Sequence, residues 1–203
     1  MQESGLSLTI DPRWIVAVPQ NDDIRAEVES QLGEPSDASD DDWREILDDV
    51  THLLTRAIEA GAMWSAVFLA QENDGRYMVA RAAAEVEVHE QEVDIETLFE
   101  EIVTTHQQDE YQATIARIET RLGPAVSHRQ VVSLDEDTLG EYRGFHIASG
   151  FSTVRVQAFS SGIGWAEVWG ASLESMVLTL RWAPDVPVGQ IQMQAYVMAN
   201  GPE

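Results

Sequence analysis

The chain has 203 residues, with no lysine and no cysteine; twelve arginines face thirty-six aspartates and glutamates, and the formal net charge is −24. The lack of cysteine rules out disulfides, thiolate metal sites and a cysteine nucleophile. So acidic a chain has few cations with which to displace counterions, which argues against a nucleic-acid backbone or an anionic membrane surface as partner.

Apolar residues make up 44% of the chain and six are tryptophan, enough for a real core. The length fits a single domain over residues 1–203, with residues 1–5 and about 34–40 as mobile segments. Apolar runs such as Ala62–Ala70 are too short to span a bilayer. The opening MQESGLSLTIDPRW has neither a basic n-region nor an apolar h-region, and a cytoplasmic location is the expectation. The acidity has three readings. One is solubility, in a GC-rich genome that favours arginine over lysine. Another is a saline cell interior, and the third is a basic protein partner.

Leu6–Ile10 alternates as a strand until Asp11-Pro12, and Trp14–Val18 continues extended to Pro19. Ile24, Val28 and Leu32 give helical spacing that ends at Gly33 and Pro35. Glu34–Asp40 is a polar connector. From about Asp41 to Ala60, Trp43, Ile46, Leu47, Val50, Leu53, Leu54, Ala57 and Ile58 form one stripe at a 3.6 period. Ser39 and Asp42 resemble a capping box before it, and Gly61 ends it. Met63–Ala70 and Tyr77–His89 read as a hairpin about Glu72-Asn73-Asp74-Gly75. Asp94–Val103 reads as a helix, and Thr104–Glu110 breaks its stripe. Ile115–Leu122 fits a helix through Ile115, Ile118 and Leu122, and a strand through Ile118, Thr120 and Leu122. Ala125–Leu134 reads as a strand and Asp135–Glu141 as an acidic loop. The last third reads as strands: the stretch around Val154, Val156 and Ala158, then Trp165–Trp169 and Ser175–Trp182, with a turn at Ser160–Gly164. Gln190–Asn200 is strand or short helix, with alternation favouring strand. The order of elements predicts an α+β fold with a mostly antiparallel sheet covered by helices.

The segments Leu8–Trp14, Ala60-Gly61-Ala62, Leu122–Val126 and Met176–Leu180 before Pro184 together resemble a group of uncharacterised actinobacterial proteins. That group in turn is similar, at fold level, to the Mog/PsbP-like proteins, an antiparallel sheet covered by helices. The resemblance implies a strand over Ala116–Arg121 and a helix at the C-terminus. It brings no catalytic residues, and members of the wider fold mostly act by binding proteins.

Candidate sites are sparse. Asp41, Glu45, Asp48, Asp49 and His52 share the polar face of the long helix, and Asp48 with His52 has a spacing that can place two metal ligands. A solvated face accounts for the same residues. Glu87, His89, Glu90 and Glu92 follow a half-exposed strand, where charged gatekeepers are ordinary. His106 with Asp109 and Glu110 falls in an expected loop. Ser127-His128 and Ser133 with Asp135 contain the letters of a catalytic triad without a nucleophile elbow, and Gly162-Ile163-Gly164 lacks the context of a phosphate loop. Trp165, Glu167 and Trp169 share one face if they lie on a strand. That face is a partner-binding patch if uncovered, and core if covered. No metal or cofactor is expected.

The sequence therefore predicts a non-enzymatic cytoplasmic module of otherwise unknown function that binds a basic protein or itself. Its sharper form is an immunity or neutralising protein for a basic toxin or effector. The alternative is a metal-assisted hydrolase, which needs His52, His89, His106, His128 and His146 to converge, at least in part.

Overall fold

In the computed structural model, residues 5–33, 40–72, 75–106, 113–135, 138–187 and 190–195 are described, and these form an α+β fold of four helices and ten strands. The expected connector 34–40, the capping residue Ser39 and the hairpin tip at 73–74 lie wholly or largely outside them. Strand β1 (Gly5–Ile10) begins within the segment expected to be mobile. Strand β2 (Trp14–Ala17) follows a turn in which Asp11 accepts from the Arg13 N–H at 3.0 Å. Helix α1 (Ile24–Leu32) is capped by Asp23, whose side chain accepts from the Ala26 N–H, and it stops at Gly33 with φ +68°. Helix α2 (Asp40–Glu59) turns its stripe inward, burying Leu47, Val50 and Leu54.

Strands β3 (Trp64–Glu72) and β4 (Gly75–Val88) pair antiparallel, as the sequence predicts. Helix α3 (Ile95–His106) runs past the expected break, and the Thr104 and Thr105 hydroxyls in its last turn donate to the Glu100 and Glu101 carbonyls. The ambiguous segment is strand β5 (Thr114–Glu119), followed by β6 (Pro124–Ser133).

Three expectations are corrected. Glu141 does not close an acidic loop but lies buried in strand β7 (Leu139–Ser149), which is followed by β8 (Ser152–Ser160). Trp165–Trp169 and Ser175–Trp182 are not two strands. Ala166–Thr179 is a single helix, α4, ahead of the short strand β9 (Arg181–Ala183). The outward face of this helix carries Val168, Ala171 and Leu178 beside Glu167, Glu174 and Ser175, so its sequence gives little polar contrast to mark the helical period. Strand β10 (Ile191–Ala195) stands where the family resemblance implies a helix, and it pairs parallel with β1.

The strands form a seven-stranded sheet in the order β2-β3-β4-β8-β7-β6-β5, wholly antiparallel, and a three-stranded sheet in the order β10-β1-β9. Because side chains alternate along a strand, each central strand of the large sheet serves two faces. Trp14, Trp64, Phe68, Ile147 and Val156 pack on one face with Trp169, Leu173 and Met176 of α4. Ile15, Ala17 and Val67 pack on the other with Val28, Leu32, Leu47, Val50 and Leu54 of α1 and α2. The large sheet thus lies between α4 with the small sheet on one side and the remaining helices on the other.

Polar groups tie α4 in place. The Trp14 Nε1–H donates to Ser172 Oγ at 2.9 Å, and that hydroxyl donates to Asp11 at 2.6 Å. Burial alone would raise the Asp11 carboxyl. The hydrogen bonds from Arg13 and Ser172, with the Arg13 charge, outweigh it and hold the carboxyl down at about 2. Glu141 accepts from Arg143 Nε at 2.5 Å and from Arg129 Nη2 at 2.7 Å, while Arg143 Nη2 donates to the Ala166 carbonyl at 3.0 Å. Gly170 makes room for this guanidinium, since a Cβ there would stand 2.0 Å from Arg143 Cζ. Alanine normally improves a helix interior. At Gly170 it meets a side chain pinned at its far end, and we expect Gly170→Ala to cost about 1–3 kcal/mol, read as a lower urea midpoint. A gain in stability would show that Arg143 is free to move aside.

Candidate functional site

The sheet face opposite α4 carries the residues with chemistry. Its middle strands, β4, β8 and β7, lie between β3, which packs under α2, and β6, which packs under α3. On this face three of the five histidines meet. His106 ends α3, with its ring centroid 4.7 Å from that of His128 on β6. His128 lies 5.4 Å from His146 on β7 and stacks on Tyr142 at 5.1 Å. Gly144 pairs with His128 across the ladder, and a Cβ there would lie 2.2 Å from His128 Cε1, so the bare backbone is what admits the ring.

The environment holds His146 in its neutral form. Burial, the neighbouring Arg155 charge and His106 depress it from 6.5 to about 4. Burial likewise raises the Tyr142 phenol, a shift that the Arg155 charge and a hydrogen bond with Gln157 partly offset. These rings lie stacked or tilted against one another, with interplanar angles of 28° to 38°. Among the described residues, no group of three or more histidines or carboxylates could hold a metal ion. The convergence that a metal-assisted hydrolase requires is therefore present as a ring stack, without a ligand set around it.

The remaining candidates are dispersed. Asp48 forms an ion pair with Arg25 of α1 at 2.5 Å, and Asp41 pairs with Arg44 at 2.7 Å. His52 is exposed on α2, as are Asp41, Glu45 and Asp49. Glu87 forms an ion pair with Arg155, and His89 Nε2 lies 2.9 Å from Thr153 Oγ1. Asp109 and Glu110 fall outside the described residues. Ser127 reaches the Ala116 carbonyl and Ser133 the Asp135 carbonyl, so neither approaches His128 through these bonds. Gly162 and Gly164 lie in the loop before α4.

Trp165, Glu167 and Trp169 do not share a strand face, because they lie at the start of helix α4. Trp169 is fully buried under the sheet, 5.1 Å from the Arg143 guanidinium. Glu167 points outward and pairs with Arg129 at 2.7 Å, which holds its carboxyl below the usual range. Trp165 packs partly buried against the main core. Two of the three are thus spent on holding α4.

Sequence reasoning missed the histidine stack because its members are on three elements with one register relation between them. The local signal is Gly144, a glycine between Arg143 and Phe145 inside the strand. No helix among the described residues is long and apolar enough to cross a membrane. No family model matches the chain, and no curated protein matches it either.

Proposed function

We propose that the chain is a non-enzymatic cytoplasmic interaction module of the Mog/PsbP-like kind, which docks a basic protein partner on its helix-covered side. The observation that carries this reading is the placement of exposed carboxylates. Asp41, Asp42, Glu45 and Asp49 of α2 and Glu100 and Glu101 of α3 are exposed on helices that cover the same sheet face. In a chain of net charge −24, this gives one side a strongly negative field that steers a cationic surface toward it. Neutralising a basic toxin or effector is the sharpest form of this function.

The test is capture of partners from a lysate of the source cells, comparing the native chain with Asp41→Asn/Glu45→Gln/Asp49→Asn. One basic protein held by the native chain at low salt, released at high salt and not held by the triple variant is the expected result. A partner held equally by both chains at every salt concentration would overturn the electrostatic reading.

A further inference from the structure

A groove of about 480 Å³ runs along the inner edge of α2, over β3, β4, β8 and β7. Ala57 of α2, Ser65 of β3 and Ala83 of β4 are small and leave room beside Val67 and Gln157. Leu53, Tyr142 and Phe159 give it an apolar wall. A neighbouring hollow of about 290 Å³ shares Leu53, Arg81 and Phe159 and continues the apolar surface to Val79 and Met78, the latter 38% exposed. The groove lies in the volume range of small-molecule sites.

The charge around it is of the unexpected sign. Among the described residues, seven arginines have carboxylate partners. Arg56 and Arg81 both line the groove, both are exposed, and among the described residues neither has a carboxylate within salt-bridge distance. Arg81 lies 5.5 Å above the Phe159 ring, which supports its guanidinium without neutralising it. Carboxylates outnumber arginines three to one in the chain, and of the four arginines without such a partner among the described side chains, Arg56, Arg81, Arg121 and Arg181, two line this one groove. The net negative charge opposes an anion at long range. Exposed charges beyond about 8 Å are largely screened at physiological ionic strength, so the nearby arginines dominate once a ligand is seated.

We infer that this groove binds a small amphipathic organic anion. Its acid group is held by Arg56 and Arg81, and its apolar body lies against Leu53, Tyr142 and Phe159 toward Met78. Guanidinium forks suit a carboxylate, sulfonate or phosphate alike. A flexible methionine at the far end suits an apolar body of variable shape.

The probe is anilinonaphthalene sulfonate, an amphipathic anion whose fluorescence rises and shifts to the blue on burial, set against uncharged phenylnaphthylamine. The full chain is expected to bind the sulfonate saturably, one to one, and the neutral probe at least tenfold more weakly. Arg56→Gln/Arg81→Gln weakens sulfonate binding at least tenfold and leaves the neutral probe unchanged. Arg121→Gln/Arg181→Gln, which removes the same two charges elsewhere on the surface, has no effect. Amide shifts on binding cluster at residues 53–57, 81–83 and 157–159. Both substituted arginines are exposed, so the melting temperature of the double variant stays near that of the native chain. Equal affinity for the two probes, undiminished binding in the double variant, shifts centred elsewhere or no saturable binding would each overturn the inference.

Discussion

Glu141→Ala is expected to lower the stability of the fold by about 3 kcal/mol, because it leaves a buried guanidinium with only the exposed Glu167 carboxylate, 4.0 Å away, as counter-charge. The Glu141 side chain is 1% exposed and that of Arg143 10%, and the two meet at 2.5 Å. Burying both ions costs solvation, which their contact and the bond from Arg143 to the Ala166 carbonyl offset. Removing the carboxylate leaves the cost in place and takes the offset away. Glu167 provides the contrast. Its side chain is 79% exposed, and water replaces its contact with Arg129, so Glu167→Ala leaves the urea midpoint almost unmoved. Urea unfolding of the two variants with equal slopes reads the difference directly. Equal, small effects would mean that the ion network does not fasten α4 to the sheet.

Acidification supplies the second large effect. The folded environment holds His146 at about 4, against 6.5 for the free side chain. Between these values the unfolded chain binds a proton that the native chain does not, so unfolding takes up a proton and stability falls as pH falls. The loss begins near pH 6.5, is complete near pH 4, and amounts to about 3 kcal/mol. The groups that face His146 act in the same direction or are spoken for. Arg155 on β8 lies opposite it in the ladder and is paired with Glu87 of β4. His128 on β6 lies beside it, and the charge of His106 on α3 also disfavours the His146 imidazolium. Asp11, lowered from 3.8 to about 2, adds a second loss over that lower window. Urea midpoints measured from pH 7 to pH 4 should fall for the native chain and fall much less for His146→Gln. A flat native profile, or the same slope in the variant, would refute the assignment.

Local pattern carried the sequence reading wherever one face of an element is wet. Helix α2 and the hairpin of β3 and β4 are legible for that reason, and strand β10 follows from the alternation of Ile191 and Met193. Helix α4 was illegible because Trp169, Leu173, Met176 and Val177 are buried while Gly170 and Ser172 dilute its propensity, and because Met176, Leu178 and Leu180 happen to alternate. Strand β7 was illegible for the opposite reason. Its first residues read as part of the acidic loop Asp135–Glu141, and the rest, with Arg143, His146 and Gly144, shows no pattern until Arg129 and α4 are brought beside it. The candidate site follows the same rule. The acidic face of α2 is local and visible, whereas the histidine stack and the groove exist only through the strand order β4-β8-β7-β6.

The most direct test of the interaction reading is the dissociation constant of the captured basic partner, measured against the native chain and Asp41→Asn/Glu45→Gln/Asp49→Asn across a salt series. If the helix-covered side is the docking surface, affinity falls steeply with salt for the native chain, and the variant binds more weakly with a shallower slope. Superimposable salt dependences for the two proteins would contradict it and move the partner's site off the acidic helices.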